Sequence, residues 1–319
     1  MGWDYDDHGS QGQSPAARIA SGAVGLVVVA GLALAALRPE LMPWHDPGDT
    51  LPLAAETGRP SGAPADEAFP HRPTLREPFK GSPALRWADG AAGIVPPPAK
   101  ATGWMSKAQV TTALATAKDF LVASNLDPAV IRGARPQRAL GLLDPRQPDL
   151  RSDLERAFAE PTDRDDPTML FSRFSPAEVR PVGEVVKVRG RMSVENGRGE
   201  QAGTVLIRTD YTFVYPIVKA RPGSDEVERT IVRRQITFSL ADPARFEVTQ
   251  GKLGVSEWSS NVGNDDCTRP VDGYYHPAFD EDGAGDPAAP EPAGPAVDPY
   301  DRSKDLAQLP QECGTSSRT

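Results

Sequence analysis

Three different spacings of apolar residues divide this chain. The first is an unbroken run. From Ile19 to Leu37 there is no charged residue, and Arg18 and Arg38 flank the run. Roughly 19 residues make a helix of about 28 Å, the thickness of a bilayer's hydrocarbon core, so the run predicts a membrane-spanning helix. Gly22, Gly25 and Gly31 suit such a helix better than a soluble one. The second spacing is helical. Ser106 and Gln109 form a capping-box pair, and Val110, Leu114, Ala117 and Leu121 follow as one apolar stripe that ends near Asn125. Asp127-Pro128 restarts a short helix, and Leu150, Leu154 and Phe158 share one side of another that starts near Pro148. The third is strict alternation after Pro181. Val186, Val188, Met192 and Val194 oppose Lys187, Arg189, Arg191 and Ser193. Val205, Ile207, Tyr211, Phe213 and Tyr215 oppose Leu206, Arg208, Asp210 and Thr212. Val232, Ile236, Phe238 and Leu240 oppose Ile231, Arg233, Gln235 and Thr237, with Arg234 out of pattern and read as a bulge or frayed start. A last strand is predicted within Lys252 to Trp258, and turns at Asn196-Gly197 and Pro222-Gly223.

Helices first and then three or four long antiparallel strands predict an α+β domain, with N-terminal helices packed on a curved sheet. Residues 39–103 are proline-dense with little periodicity and read as a linker. Residues 264–319 include DEDGAGDPAAPEPAGPAVDPYD and read as an acidic tail. The predicted organisation is a short cytoplasmic segment over 1–18, a transmembrane helix over 19–38, the linker, an extracytoplasmic domain over 104–263, and the tail.

Composition adds compartment and partners. The net charge of −9 argues against a general nucleic-acid binder. The only two cysteines are Cys267 and Cys313, both after the span, and a paired count suits an oxidising exterior. They are therefore expected to bond to each other. The C-terminal portion is assigned to the outside of a cell membrane crossed once, although Arg18 and Arg38 balance the positive-inside rule. Ala33-Leu34-Ala35 offers a small-residue cleavage site, so a removed secretion signal is the alternative to a retained anchor.

The order of elements resembles the cone-shaped nuclear transport factor 2-like fold, in which a curved sheet wraps around N-terminal helices. With the anchor, the layout resembles actinobacterial single-pass envelope proteins that carry such a domain outside. A cystatin-like sheet-on-helix fold would show the same order. The resemblance implies an interior pocket, for which Tyr211, Tyr215 and Trp258 are the candidate lining; plain aromatic core is the competing reading.

Candidate chemistry is sparse. His8, His45, His71 and His276 all fall outside the predicted helices and strands, so none supplies a base to an interior nucleophile. Two distant cysteines and one nearby histidine make no zinc site, and no metal or cofactor is expected. Asp280-Glu281-Asp282-Gly283 begins like a calcium loop and fails at Ala284. Asp210 has the wrong phase to act as an interior acid or base. The outer phase, by contrast, carries Lys187, Arg189, Arg191, Arg208, Arg229 and Arg233. These predict either a solvated basic face or a surface for an acidic partner: wall polymer, anionic lipid or the chain's own acidic tail. The functional expectation is a membrane-anchored, non-enzymatic interaction or scaffold module of the cell envelope, bound to the bilayer through Ile19–Leu37 and partnered by an envelope protein or anionic wall polymer. The alternative is a ligand-binding or enzymatic cone.

Overall fold

A computed structural model describes residues 52–64, 72–279, 296–309 and 314–319. They belong to one compact unit, Pro52–Thr319. The apolar span Ile19–Leu37 lies outside the described residues, among which no helix is long and apolar enough to cross a membrane.

The fold is α+β. Its six strands are β1 (Ala88–Asp89), β2 (Val179–Pro181), β3 (Lys187–Asn196), β4 (Thr204–Lys219), β5 (Glu228–Ala241) and β6 (Gly254–Gly263). They form one antiparallel sheet in the order β1-β3-β4-β5-β6, with β2 pairing the far end of β4. Among the described residues, four α-helices precede the long strands: α1 (Lys107–Asn125), α2 (Pro128–Ile131), α3 (Gln137–Leu140) and α4 (Pro148–Ala159). Ser106 caps α1 with the reciprocal Gln109 bond expected of a capping box. The α1 stripe is buried with the inner phase of the sheet in one core, where Phe120 meets Phe238 edge-on at 5.2 Å. Apolar side chains of this size each contribute roughly 1.5–3 kcal/mol on burial, which is what holds the helices to the sheet.

Gly190 permits a close approach in that core. A Cβ there would stand 2.2 Å from the Tyr211 ring, which lies opposite across the β3–β4 ladder. Arg234 marks no bulge: the irregularity in β5 falls between Thr237 and Phe238, and Arg234 keeps the inward phase.

The outer face of the sheet carries a second layer. Phe79, Ala84, Trp87 and Tyr300 cover Val214 and Ile231 in a separate apolar cluster, with Leu53 beside it. Trp87 and Tyr300 meet edge-on at 5.8 Å, and Ser82 donates its hydroxyl to Tyr300 Oη at 3.0 Å. The described parts of 39–103 and 264–319 therefore correct the linker and tail readings. Their apolar residues sit in turns and short 3-10 segments, which have no helical or strand period to detect. They find their partners on β4 and β5 and on one another. As a result both faces of β4 are buried along nearly its whole length.

Candidate functional site

Side chains fill the interior between the helices and the sheet. Tyr211 and Tyr215 are buried in the core. Tyr215 donates its hydroxyl to the Asn125 carbonyl at 2.9 Å, and its ring packs on Phe174 at 5.5 Å. Trp258 keeps the inward phase, opposite Ile236, but lies on edge strand β6 and is 42% exposed. The three expected pocket residues are thus two core rings and one edge ring. Burial pushes both tyrosine hydroxyls up, so neither is a ready base.

Arg234 occupies the centre, fully buried. Its guanidinium donates to the Leu170 carbonyl at 3.0 Å, the Thr168 carbonyl at 2.5 Å, Tyr275 Oη at 2.8 Å and the Asn125 side-chain oxygen. All are neutral acceptors. They come from the end of α1, the turn after α4 and the loop after β6, so one cation ties three elements to β5. Asn125 is held in turn by Ser172, which donates at 2.9 Å, and its own amide donates to Ser124 Oγ at 2.7 Å. The signal for this network was present as a charge on the apolar phase of a strand. Its acceptors are mostly backbone carbonyls, which no residue type announces.

On the outer face the phase of the basic residues is as expected, but their exposure is not. Arg229 and Arg233 are buried, Lys187, Arg189 and Arg191 are half-buried, and Arg208 alone of the six is open to solvent. Arg233 grips both oxygens of Asp210 at 3.0 Å. Arg191 lies 3.5 Å from the same carboxylate. Arg302, from the C-terminal segment, donates to the Asp210 carbonyl at 2.9 Å and to Glu56 at 2.5 Å. Glu56 also pairs with Arg189 at 3.1 Å. Lys187 pairs with Asp89 at 2.6 Å, and Arg229 donates to the carbonyls of Pro78, Lys80 and Thr319. Arg208 pairs with Glu195 at 2.5 Å and Glu257 at 3.1 Å. Burial raises the Asp210 carboxyl, but Arg233, Arg302 and Arg191 outweigh it and hold the group below its usual range. The basic stripe is therefore internal glue between the sheet and the chain's own terminal segments. Glu56 and Asp210 neutralise its centre. The acidic residues Asp280, Glu281 and Asp282 lie outside the described residues.

A third cluster holds the loop after β6. His276 is buried between two carboxylates, with Nδ1 3.1 Å from Glu178 and Nε2 2.9 Å from Asp272. Arg269 meets Glu178 with two bonds of 2.9 Å. The His276 amide donates to Asp265 at 2.6 Å. Burial pushes Asp265 up to about 6 against that bond. Cys267 sits in this loop and is not a free thiol, whereas Cys313 lies outside the described residues. Among the described residues no group of three or more His, Cys, Asp or Glu is arranged to hold a metal.

One concavity of about 380 Å³ lies on the outer face, lined by Arg59, Arg191, Arg208 and Asp210, and two others lie at the end of the sheet where the β5–β6 loop approaches the start of α1 and the α3–α4 turn. No protein family, curated protein or solved structure matches this chain.

Proposed function

We propose that this protein is a membrane-anchored, extracytoplasmic, non-enzymatic interaction module of the cell envelope, built on a cone-shaped domain similar to nuclear transport factor 2. One observation carries the non-enzymatic part: Arg234 and its neutral acceptors fill the interior that a catalytic cone would leave open. Catalysis there needs a reachable acid or base, and a guanidinium surrounded by carbonyls and a hydroxyl supplies neither near neutral pH. The anchor rests on the Ile19–Leu37 run. With the basic outer face engaged by Glu56 and Asp210, an envelope protein fits the partner role better than an anionic wall polymer.

The test is fractionation of cells expressing the full chain, followed by protease treatment of intact protoplasts. The expected result is a chain that resists alkaline carbonate extraction and loses its C-terminal domain to external protease. A carbonate-soluble chain, or a domain digested only after lysis, overturns the reading.

A further inference from the structure

Two concavities meet beside Lys252. One, of about 620 Å³, is floored by Leu140, Leu143, Leu150 and Leu154 and edged by Arg135, Arg151 and Lys252. The other, of about 400 Å³, runs along the first turns of α1 and is lined by Trp104, Met105, Ala113, Leu240 and Leu253 among mostly small or apolar neighbours. Asp144, Gln147 and Lys252 line both, so the two form one bent groove. The acidic and amide groups at the bend are already used. Asp144 accepts the amides of Arg146 and Thr249, and Gln147 exchanges two bonds with the Val255 backbone. Arg151 is neutralised by Glu155 at 3.1 Å.

Among the described residues, Lys252 and Arg135 form no ion pair, while Asp144 leaves one carboxylate charge at the bend. Lys252 donates only to the Gly141 carbonyl, and Arg135 lies over the Phe158 ring at 4.7 Å. Both face the wider cavity. Arg135, Arg151 and Lys252 outnumber Asp144 and Glu155 by one charge, so a largely apolar channel ends at a net positive site, the polarity of a molecule with a hydrocarbon chain and one anionic end. The volumes fall in the range of small-molecule sites, in which a mostly apolar wall sets affinity and a few charged groups set orientation.

We infer that this groove binds a single-chain anionic amphiphile of the fatty-acid type. Its chain lies along α1 between Trp104 and Leu253, and its carboxylate is held by Lys252 and Arg135. The groove is formed wholly within Pro52–Thr319, so the inference stands apart from membrane anchoring.

The experiment uses the full chain in membrane vesicles, irradiated with a diazirine-bearing palmitate and mapped by peptide mass spectrometry. Label is expected on peptides covering residues 104–116 and 240–254, and excess palmitate should suppress it about tenfold while methyl palmitate does not. Lys252→Gln with Arg135→Gln should reduce that labelling about tenfold, the loss expected for a charge-assisted bond, with unchanged thermal unfolding because Arg135 is exposed and Lys252 only half-buried. Thr112→Trp, on the exposed side of α1, should block labelling by occupying the groove. Label found only on other peptides overturns the inference. So does competition by methyl palmitate equal to that by palmitate, or full labelling of the doubly substituted chain.

Discussion

Arg191, Arg233 and Arg302 all converge on the Asp210 carboxylate, which joins β3, β5 and the C-terminal segment to β4. Removing one partner of a buried ion pair strands the others. Asp210→Asn is therefore expected to lose about 3–5 kcal/mol of stability, measured by urea unfolding at neutral pH. The acid limb follows from the same contacts. A carboxyl held below its ordinary 3.8 contributes stability that is present above that value and lost as pH falls through the depressed one. Asp265 has the opposite sign. Its carboxyl is raised to about 6, so its contribution is intact below 3.8 and is lost as pH rises through about 6. Asp265→Asn keeps an acceptor for the His276 amide and removes the buried charge. It should stabilise the domain by about 3 kcal/mol at pH 8, at about 1.4 kcal/mol per pKa unit, and should match the parent near pH 3.5. Thermal unfolding of the two proteins at both pH values is the measurement.

At the level of elements, the regular pieces were legible and the irregular ones were not. The capping box of α1, the Pro-initiated α2 and α4, and the alternation of β3, β4 and β5 each follow from a local period and a local stop signal. The short β1 and β2, and the segments around Phe79, Trp87 and Tyr300, carry neither. A tail that hangs free would tolerate loss of one ring. Here Tyr300 is buried against Trp87 and accepts a hydrogen bond from Ser82. Tyr300→Ala is expected to cost about 3 kcal/mol or more, the usual penalty for deleting a buried aromatic ring. Chemical denaturation checks this, and a change under 0.5 kcal/mol, roughly the scale of surface substitutions, would restore the free-tail reading.

For the molecule as a whole, the loop after β6 and the C-terminal segment are each fastened to the domain by their own contacts, the first through His276 and the second through Arg302. A bond between Cys267 and Cys313 is expected to add a covalent closure to those contacts. Mass spectrometry of the full chain isolated from cells, with and without reductant, should recover a Cys267–Cys313 peptide pair. Closing a loop of about 45 residues contributes up to about 4 kcal/mol on the chain-entropy account. Because both segments are packed, reduction should lower the stability of the entire domain rather than merely release a tail. Two free thiols in that chain would remove the pairing and, with it, one support for the proposed outside orientation.

By itself the sequence determined the α+β class and the phase of β3, β4 and β5, because backbone period and capping chemistry act over a few residues, but it stopped β6 at Trp258 and gave it no phase, whereas the strand runs to Gly263. It also placed Asp210 and the basic residues on one face of the sheet. Tertiary structure decided what that face meets. Alternation separates two faces of a strand, but it cannot distinguish water from a second layer of the same chain. Glu56 and Arg302 reach the sheet from positions far from β4 in sequence and outside any periodic element. The same reason hid the role of Arg234. Local pattern exposed it as an anomaly, and only the convergence of α1, the turn after α4 and the loop after β6 made it the centre of a filled core.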